Sequence, residues 1–450
     1  MNYGFGATQR PLNIAIVGTG IAGMSAAWLL NKRHNVVVYE RNKRIGGHSN
    51  TVDVHLSSKC MPVDTGFIVF NDRNYPNLTA LFSHLGVRTK DSDMSFAASL
   101  SDGALEYSGT DLNGLFAQRL NLFRPRFWRM IYDLVKFYRE APHTLEDPTY
   151  TGMNLDEYLR RGGYSDGFIS NHLLPMGAAI WSTSAGDMRN YPVRALVRFF
   201  ASHGLLQFSN RPQWRTVAGG SREYVERLTA PYRDNILLRG VQAIQRFPQH
   251  VEIKDTLGKC ASFDHVVIAS HADEAFRLLD DPSEQELKLL GPWRYTRNRA
   301  ILHLDPNFMP KRKSVWSSWN FIDRSKHVNS RELCVTYWMN RLQSLESPEQ
   351  IFVTLNPAQK LAPDCILREF EYTHPYFDKE ALASQQQLWS LQGVRRTWYC
   401  GSYFGFGFHE DALQSGLAVA ESLGGLSRPW VVPEKNDRIC VRTTSKALAA

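Results

Sequence analysis

Residues 14–48 read IAIVGTGIAGMSAAWLLNKRHNVVVYERNKRIGGH. An apolar run, Ile14 to Val17, leads into Gly18-Thr19-Gly20-Ile21-Ala22-Gly23. A helical stretch follows, then a second apolar run, Val36 to Tyr39, which ends at Glu40. Strand, glycine turn, helix, strand and acid in that order describe a dinucleotide-binding unit. Gly18 permits the tight turn, Gly20 lets the backbone approach a pyrophosphate, and Gly23 lets the helix pack closely on the strand. Ile21 and Ala22 open the helix, whose N-terminal amides favour the phosphate charge. Glu40 lies 20 residues past Gly20, with Arg41 beside it, placed for a ribose hydroxyl.

A second glycine pair follows almost at once, in Arg44-Ile45-Gly46-Gly47-His48. A plain nicotinamide dehydrogenase has no need of it. The step resembles the Arg-x-Gly-Gly-Arg of flavoproteins of the glutathione-reductase and amine-oxidase type, where it lies against the FAD pyrophosphate. The resemblance implies FAD, with Gly46, Gly47 and His48 at the phosphates. His48 stands where the family pattern has its final arginine.

At 450 residues the chain has room for two domains. Its 43% hydrophobic and 21% charged content describes a globular protein. No window is apolar enough for a spanning helix, and Met1 to Asn13 lacks the basic head and apolar core of a signal peptide. The six cysteines (60, 260, 334, 365, 400 and 440) are scattered, with no zinc spacing. We therefore expect a cytoplasmic protein without a structural metal. The net charge of +8 invites an anionic partner, but no nucleic-acid-binding motif accompanies it.

The pattern along the chain predicts a discontinuous arrangement. Residues 1–91, 207–291 and 391–430 read as the nucleotide domain, 92–206 and 292–390 as a substrate domain, and 431–450 as a tail. Residues from about 92 to 205 are mostly helical by pattern. Trp214 to Ser221 leads into a helix over 222–228. Strands are expected at 241–245, 251–254, 266–269, 300–304, 314–321, 333–338 and 397–401, and a last helix at 412–423. The fold class is α/β: a Rossmann-type FAD domain of the glutathione-reductase/amine-oxidase type with a discontinuous α+β substrate domain.

Together the N-terminal fingerprint, Gly219-Gly220, the Val266–Ala269 strand and the C-terminal segment resemble the flavin amine oxidase and phytoene desaturase superfamily over nearly the whole chain. Four further stretches carry a narrower likeness: PMGAAIWS (175–182), WSSWN (316–320), TYWMNRL (336–342) and GFGFHED (405–411). They resemble bacterial FAD-dependent oxidoreductases associated with cyclopropane fatty-acid synthases and related methyltransferases. That likeness implies oxidation or desaturation of a phospholipid-bound, methyl-branched acyl chain, and a functional association with such a methyltransferase or cyclopropane synthase. The superfamily places Gly401, Ser402, His409 and Ala412 at the flavin, with Ser402 where an acid is usual. The step Asp64-Thr65-Gly66-Phe67 resembles the family's Asp-x-Gly near the flavin, with Gly66 and Phe67 beside the ring and a strand-end turn as the alternative, and the resemblance puts the Val241 backbone at the adenine. Cys400 reads as a buried hydrophobe rather than a covalent flavin attachment. His409 and Glu410 are the acid–base candidates, with loop orientation and helix capping as their structural alternatives. Trp316, Trp319, Tyr337 and Trp338 are candidates for an apolar tunnel or for ordinary core.

Residues 116–139, FAQRLNLFRPRFWRMIYDLVKFYR, set six basic residues against one acid and interleave aromatics. Such a helix suits an anionic lipid surface, and equally a buried domain face. Arg194 to Leu206 repeats the theme. The expectation is a protein peripheral to the inner face of the cell membrane. A soluble amine oxidase, and a non-catalytic flavoprotein partner of a lipid methyltransferase, are the alternatives.

Overall fold

The computed structural model describes residues 10–56, 59–325 and 333–441. Its centre is a five-stranded sheet, ordered Ile236–Leu237, Asn35–Tyr39, Asn13–Val17, His265–Ile268, Thr397–Tyr399, with every pairing parallel. Its middle strand is apolar and fully buried at Ile14, Ala15 and Ile16, as expected of a sheet covered on both faces. The helix Ile21–Leu30 is buried along all ten residues. It is apolar all round because the sheet covers one side and the last helix, His409–Gly424, the other. The two helices approach so closely that a Cβ on Gly416 would stand 2.2 Å from the Ala22 carbonyl oxygen.

An antiparallel meander, Val241–Arg246, Val251–Asp255 and Cys260–Phe263, precedes the strand His265–Ile268. A seven-stranded sheet forms the other wall. Its order is Ile366–Tyr376, Arg294–His303, Phe352–Leu355, Val335–Trp338, Trp319–Ile322, Phe96–Leu100, Leu105–Ser108. The five-stranded sheet thus draws on three separated parts of the chain and the seven-stranded sheet on two.

Most expected elements are present with shifted ends, and three differences are physical. The helical reading of 92–205 overlooked the hairpin Phe96–Ser108, whose turn Ser101-Asp102-Gly103 carries three positive φ angles. The expected strand 314–321 is confined to Trp319–Ile322, because Lys313–Val315 forms a 3-10 turn. The last helix starts at His409, three residues early. Of the expected tail 431–450, residues 442–450 lie outside the described residues.

Among the described residues no helix is long and apolar enough to cross a membrane. Among them, too, no group of three or more His, Cys, Asp or Glu side chains is arranged to hold a metal ion. The expected amphipathic helix is real and spans Pro125–Glu140, burying Phe127, Met130 and Phe137. The second piece is corrected: in Val193–Ser202, Phe199 and Phe200 are buried. Arg194 is bound to Thr151 Oγ1 at 2.9 Å and to the Leu145 carbonyl, so the aromatic face is turned inward and only Arg198 is exposed among its basic residues.

Candidate active site

A cavity of about 1040 Å³ runs between the two sheets, from the glycine turn to the apolar wall. It reaches the upper end of the roughly 300–1,000 Å³ typical of cofactor and ligand pockets. One end is made largely of backbone. Gly18 sits at φ +105°, and a Cβ there would stand 2.9 Å from the Ala269 carbonyl oxygen. A Cβ on Gly23 would lie 2.0 Å from the Gly18 oxygen, so this glycine packs helix on turn and does not line the cavity. A Cβ on Gly20 would meet nothing within 4 Å. The protein leaves that space open in front of a helix start that has neither a side-chain cap nor an acid in its first turn, and its amides are free for an anion.

Glu40 is buried beside this turn and accepts from the Thr19 amide (3.0 Å), the Thr19 hydroxyl, and the Asn42 amide and side chain (2.8 Å each). Four accepted bonds use the roughly four lone-pair positions of a carboxylate, so a ribose hydroxyl must displace the Asn42 side chain to reach it. Arg41 lines the cavity and pairs with Glu274 at 2.7 Å. Gly47 lies against Gly20, and a Cβ on it would be 3.0 Å from the Gly20 Cα. Gly46 turns away at φ +107° against the Ser49 carbonyl and does not line the cavity. His48 lines it, and its Nε2 has no hydrogen-bond partner. Val241 lines the same end. The open cradle over Gly20, the uncapped helix and the unpartnered imidazole nitrogen fit a bound dinucleotide diphosphate.

Halfway along, Gly66 and Phe67 fold onto His48. A Cβ on Gly66 would stand 2.2 Å from the His48 carbonyl oxygen, and the Phe67 amide donates to that oxygen at 2.8 Å. The Phe67 ring stacks on His409 at 3.8 Å and 8°. His409 Nε2 lies 2.7 Å from the Tyr224 hydroxyl and 3.3 Å from Ser49 Oγ. Burial, with His48 nearby, lowers the His409 pKa to about 3, so the ring is neutral at neutral pH. Its Nε2 shares one hydrogen bond with the Tyr224 hydroxyl, which is in turn bonded to Ser49 Oγ. Gly401, Ser402 and Ala412 line the cavity beside it.

Besides Gly46, three expected site residues are corrected. Glu410 is fully buried and does not line the cavity. Its carboxylate accepts from the Asn77 amide (3.0 Å), the Asn77 side chain (2.9 Å), the Leu78 amide (3.0 Å) and Gln414 (3.1 Å). It thereby caps the start of the helix Pro76–Leu85, and is a structural group rather than an acid or base. Asp64 accepts from the Ser221 amide (2.9 Å), the Ser221 and Thr51 hydroxyls and Gln343 (2.8 Å), tying a hairpin to the helix Arg222–Thr229. Thr65 bonds Asn50 and the Tyr372 hydroxyl. Neither Asp64 nor Thr65 reaches the cavity.

The far end is apolar. Met94, Phe96, Met176, Ile180 and Leu205 line it, with Trp319 edge-on to Tyr337 at 4.8 Å. Of the tunnel candidates these last two line the cavity, whereas Trp316 and Trp338 pack on each other at 5.4 Å outside it. Cys400 is buried beneath the sheet end, with its thiol pushed well up by burial. Sequence reasoning missed His271, Tyr372 and His374, which line the cavity around His48. A signal for His271 existed: it follows the carboxyl end of a parallel strand, where open α/β sheets place ligands. His374 and Tyr372 come from the edge strand Ile366–Tyr376 and carried none.

Residues 21–423 match the family of flavin containing amine oxidoreductases. A short stretch of 49 residues is 47% identical to an L-amino-acid oxidase of Bothrops pauloensis, covering 11% of this chain and 10% of that protein. Among solved structures, cyclohexylamine oxidase from Brevibacterium oxydans superposes with a TM-score of 0.63 at 16% identity, covering 92% of this chain and 99% of that one. A putrescine oxidase gives 0.65 at 14% identity, over 92% and 99%. A fatty acid isomerase from P. acnes that produces CLA gives 0.64 at 16% identity, over 93% and 99%. At such identities these structures share the fold.

Proposed function

The chain belongs to the flavin containing amine oxidoreductases, with FAD as its cofactor, and from that premise we propose that it oxidises a fatty acyl chain of a membrane phospholipid, desaturating it. One observation carries the reading: the far end of the cavity has no charged lining. The charged residues that line the cavity at Glu40, Arg41, Lys43, Arg44, Glu274 and Arg277 belong to the nucleotide end, and Glu371 is exposed and paired with Arg297 at 3.7 Å. An ammonium substrate is held by a carboxylate or an aromatic cage; the far end has no carboxylate, while Phe199, Trp214, Trp319 and Tyr337 line the cavity, which is why the amine panel is part of the test. An acyl chain asks only for removal of apolar area from water, worth about 0.8 kcal/mol per buried CH₂.

Bound FAD supplies the two-electron oxidation. The chain's own residues bind and orient. Gly18, Gly20 and the start of the helix Ile21–Leu30 hold the diphosphate. Phe67 and His409 wall the middle of the cavity, with Tyr224 and Ser49 fixing the imidazole. Burial makes His409 a poor base, and its place in the network makes it a positioning residue. Trp319, Tyr337 and Ile180 hold the alkyl chain and exclude water.

A route for the substrate supports the same reading. Seven large apolar side chains between Leu112 and Val135 stand exposed, including Phe123 at 82%, Tyr132 at 60% and Trp128 at 48%. Arg119, Arg124, Arg126, Arg129 and Arg139 are exposed among them. Asp133, the sole acid between 112 and 139, is buried and held by Arg129 (3.2 Å) and the Ser165 amide (2.9 Å). An exposed apolar face studded with arginines, with exposed acids only at its two ends, Asp111 and Glu140, is complementary to an anionic bilayer. From Tyr138 the patch continues to Phe208, ring to ring at 5.0 Å, three residues beyond the cavity residue Leu205.

The test is anaerobic bleaching of the oxidised-flavin absorbance by vesicles whose phospholipids carry methyl-branched chains, with an amine panel in parallel. Bleaching by lipid, with a product two mass units lighter, supports the reading. Bleaching by an amine alone overturns it. Bound FAD that nothing reduces favours a non-catalytic partner of a lipid methyltransferase. Separately, exchanging Phe123 and Trp128 for serine should release the protein from anionic vesicles, and unchanged co-sedimentation would refute the docking face.

A further inference from the structure

The three imidazoles around the phosphate end have no part in the oxidation described above. His48 follows Gly47, which touches Gly20 at the start of the helix Ile21–Leu30. Its ring centroid lies 5.4 Å from His374, 6.5 Å from His271 and 5.1 Å from Tyr372. All three histidines line the cavity. Two are already partnered. His374 Nδ1 meets Asn298 at 3.0 Å. His271 stacks on Tyr295 at 4.2 Å and its Nδ1 lies 3.3 Å from Thr373 Oγ1. His48 Nε2 is buried and has no hydrogen-bond partner, and its residue lines the cavity next to Gly47 and Gly20.

We propose that His48 is a proton-carried counter-charge for the FAD diphosphate: FAD enters together with one proton from solvent, which His48 holds for as long as the cofactor is bound. The neighbours decide the sign. Burial is the largest influence on each ring, and it brings His48 and His271 to about 4 and His374 to about 3. Around His48, His271 and the Arg44 guanidinium oppose protonation, while the Thr373 backbone favours it through a hydrogen bond. Around His271, Asp273 favours protonation, whereas Arg41, Arg277 and His374 oppose it. Glu274 is occupied by Arg41. The empty site is therefore neutral at pH 7. A nearby opposite charge raises such a pKa by about 1–3 units, and a diphosphate brings two negative charges. The bound state then holds a proton that the free state lacks. Three rings this close disfavour a second charge, which limits the uptake to one.

By linkage, FAD affinity falls as pH rises wherever the bound site keeps its proton and the free site does not, by up to tenfold per pH unit for one proton. An arginine at this position would be charged throughout and would show no such slope.

The test titrates FAD into flavin-stripped full-length protein from pH 5.5 to 8.5, following flavin fluorescence. Calorimetry in two buffers of different ionisation enthalpy counts the protons. The expected result is proton uptake on FAD binding that is largest at the acid end of this range and declines through neutral pH, with an affinity that weakens as pH rises. His48→Arg should bind tightly with a flat pH profile, and His48→Gln weakly with a flat profile. No uptake in the wild type overturns the proposal. So does a slope that survives both His48 variants. A slope lost in His271→Gln or His374→Gln but kept in the His48 variants assigns the proton to the neighbour and likewise overturns it. Every readout is of binding, so the result stands apart from whether the substrate is a lipid.

Discussion

The two ends of the cavity are built by opposite means. At the nucleotide end the contacts come from backbone: a glycine turn, a bare helix start and glycines whose missing Cβ atoms leave or close specific spaces. At the substrate end they come from side chains, drawn from the hairpin Phe96–Ser108, the helix Leu174–Trp181, the loop at Leu205 and the strands at Trp319 and Tyr337. A backbone site is rigid and its ligand is dictated by geometry. A side-chain site is retuned by substitution without disturbing the frame. A shared fold with amine oxidases and a fatty acid isomerase is what such a division permits.

The division breaks most sharply at Gly20. Gly20→Leu touches no protein atom within 4 Å at its Cβ, so folding should persist while the side chain fills the diphosphate space. Loss of bound flavin with unchanged circular dichroism is the expected outcome, and a yellow, folded variant would contradict the backbone account. Next comes Ile180→Asp at the other end. A carboxylate in that apolar wall should cut lipid-driven flavin reduction by tenfold or more, since burying it unpaired costs several kcal/mol, yet leave FAD affinity unchanged. If FAD affinity falls equally, the ends are not separable.

Glu410→Ala tests the boundary between them. Leaving the Asn77 and Leu78 amides unpaired should cost about 1–3 kcal/mol, read as a lower Tm, with the flavin spectrum unaltered. A changed spectrum with unchanged Tm would return Glu410 to the chemistry. The smallest effect is a pH slope. Burial raises the Asp64 pKa to about 6, against about 3.9 unfolded. The folded state thus holds the extra proton between those values, and this contribution to stability is present below pH 4 and lost as pH rises through 6. The depressed histidines act oppositely, gaining stability as pH rises from their folded values, about 3 to 4, to about 6.5 unfolded. Asp64→Asn removes one opposing part, so its stability should climb more steeply than the wild type's between pH 4 and 6, by about 1.4 kcal/mol per pH unit. Parallel curves would show that Asp64 is ionised throughout.

The nucleotide end was legible because its parts are glycines and one acid at short, fixed spacing. Gly18, Gly20, Gly23 and Glu40 fall where the pattern requires them. Even there, the bonds from Thr19 and Asn42 to Glu40 were invisible, since neither residue belongs to the pattern. The substrate end was hidden because Phe96, Ile180, Trp319 and Tyr337 meet only in three dimensions, and each looks like core. Glu410 shows a subtler limit. It adjoins His409 in sequence, but consecutive helical residues point about 100° apart. One faces the cavity and the other the helix Pro76–Leu85. Asp64 and Thr65 fail beside Gly66 and Phe67 for a similar reason: the chain ends a strand there and turns into the cavity only at the glycine.

Gly416 sits against Ala22, near opposite ends of the sequence. The helix that presents its amides to the diphosphate is therefore fastened in place by a helix synthesised long after it. A nascent chain can form the glycine turn early, but that turn has no firm backing until the C-terminal helix arrives. Closing so long a loop is slow. Flavin capture should therefore wait for synthesis of the helix His409–Gly424, and a chain truncated before Gly416 should emerge colourless, however intact its fingerprint.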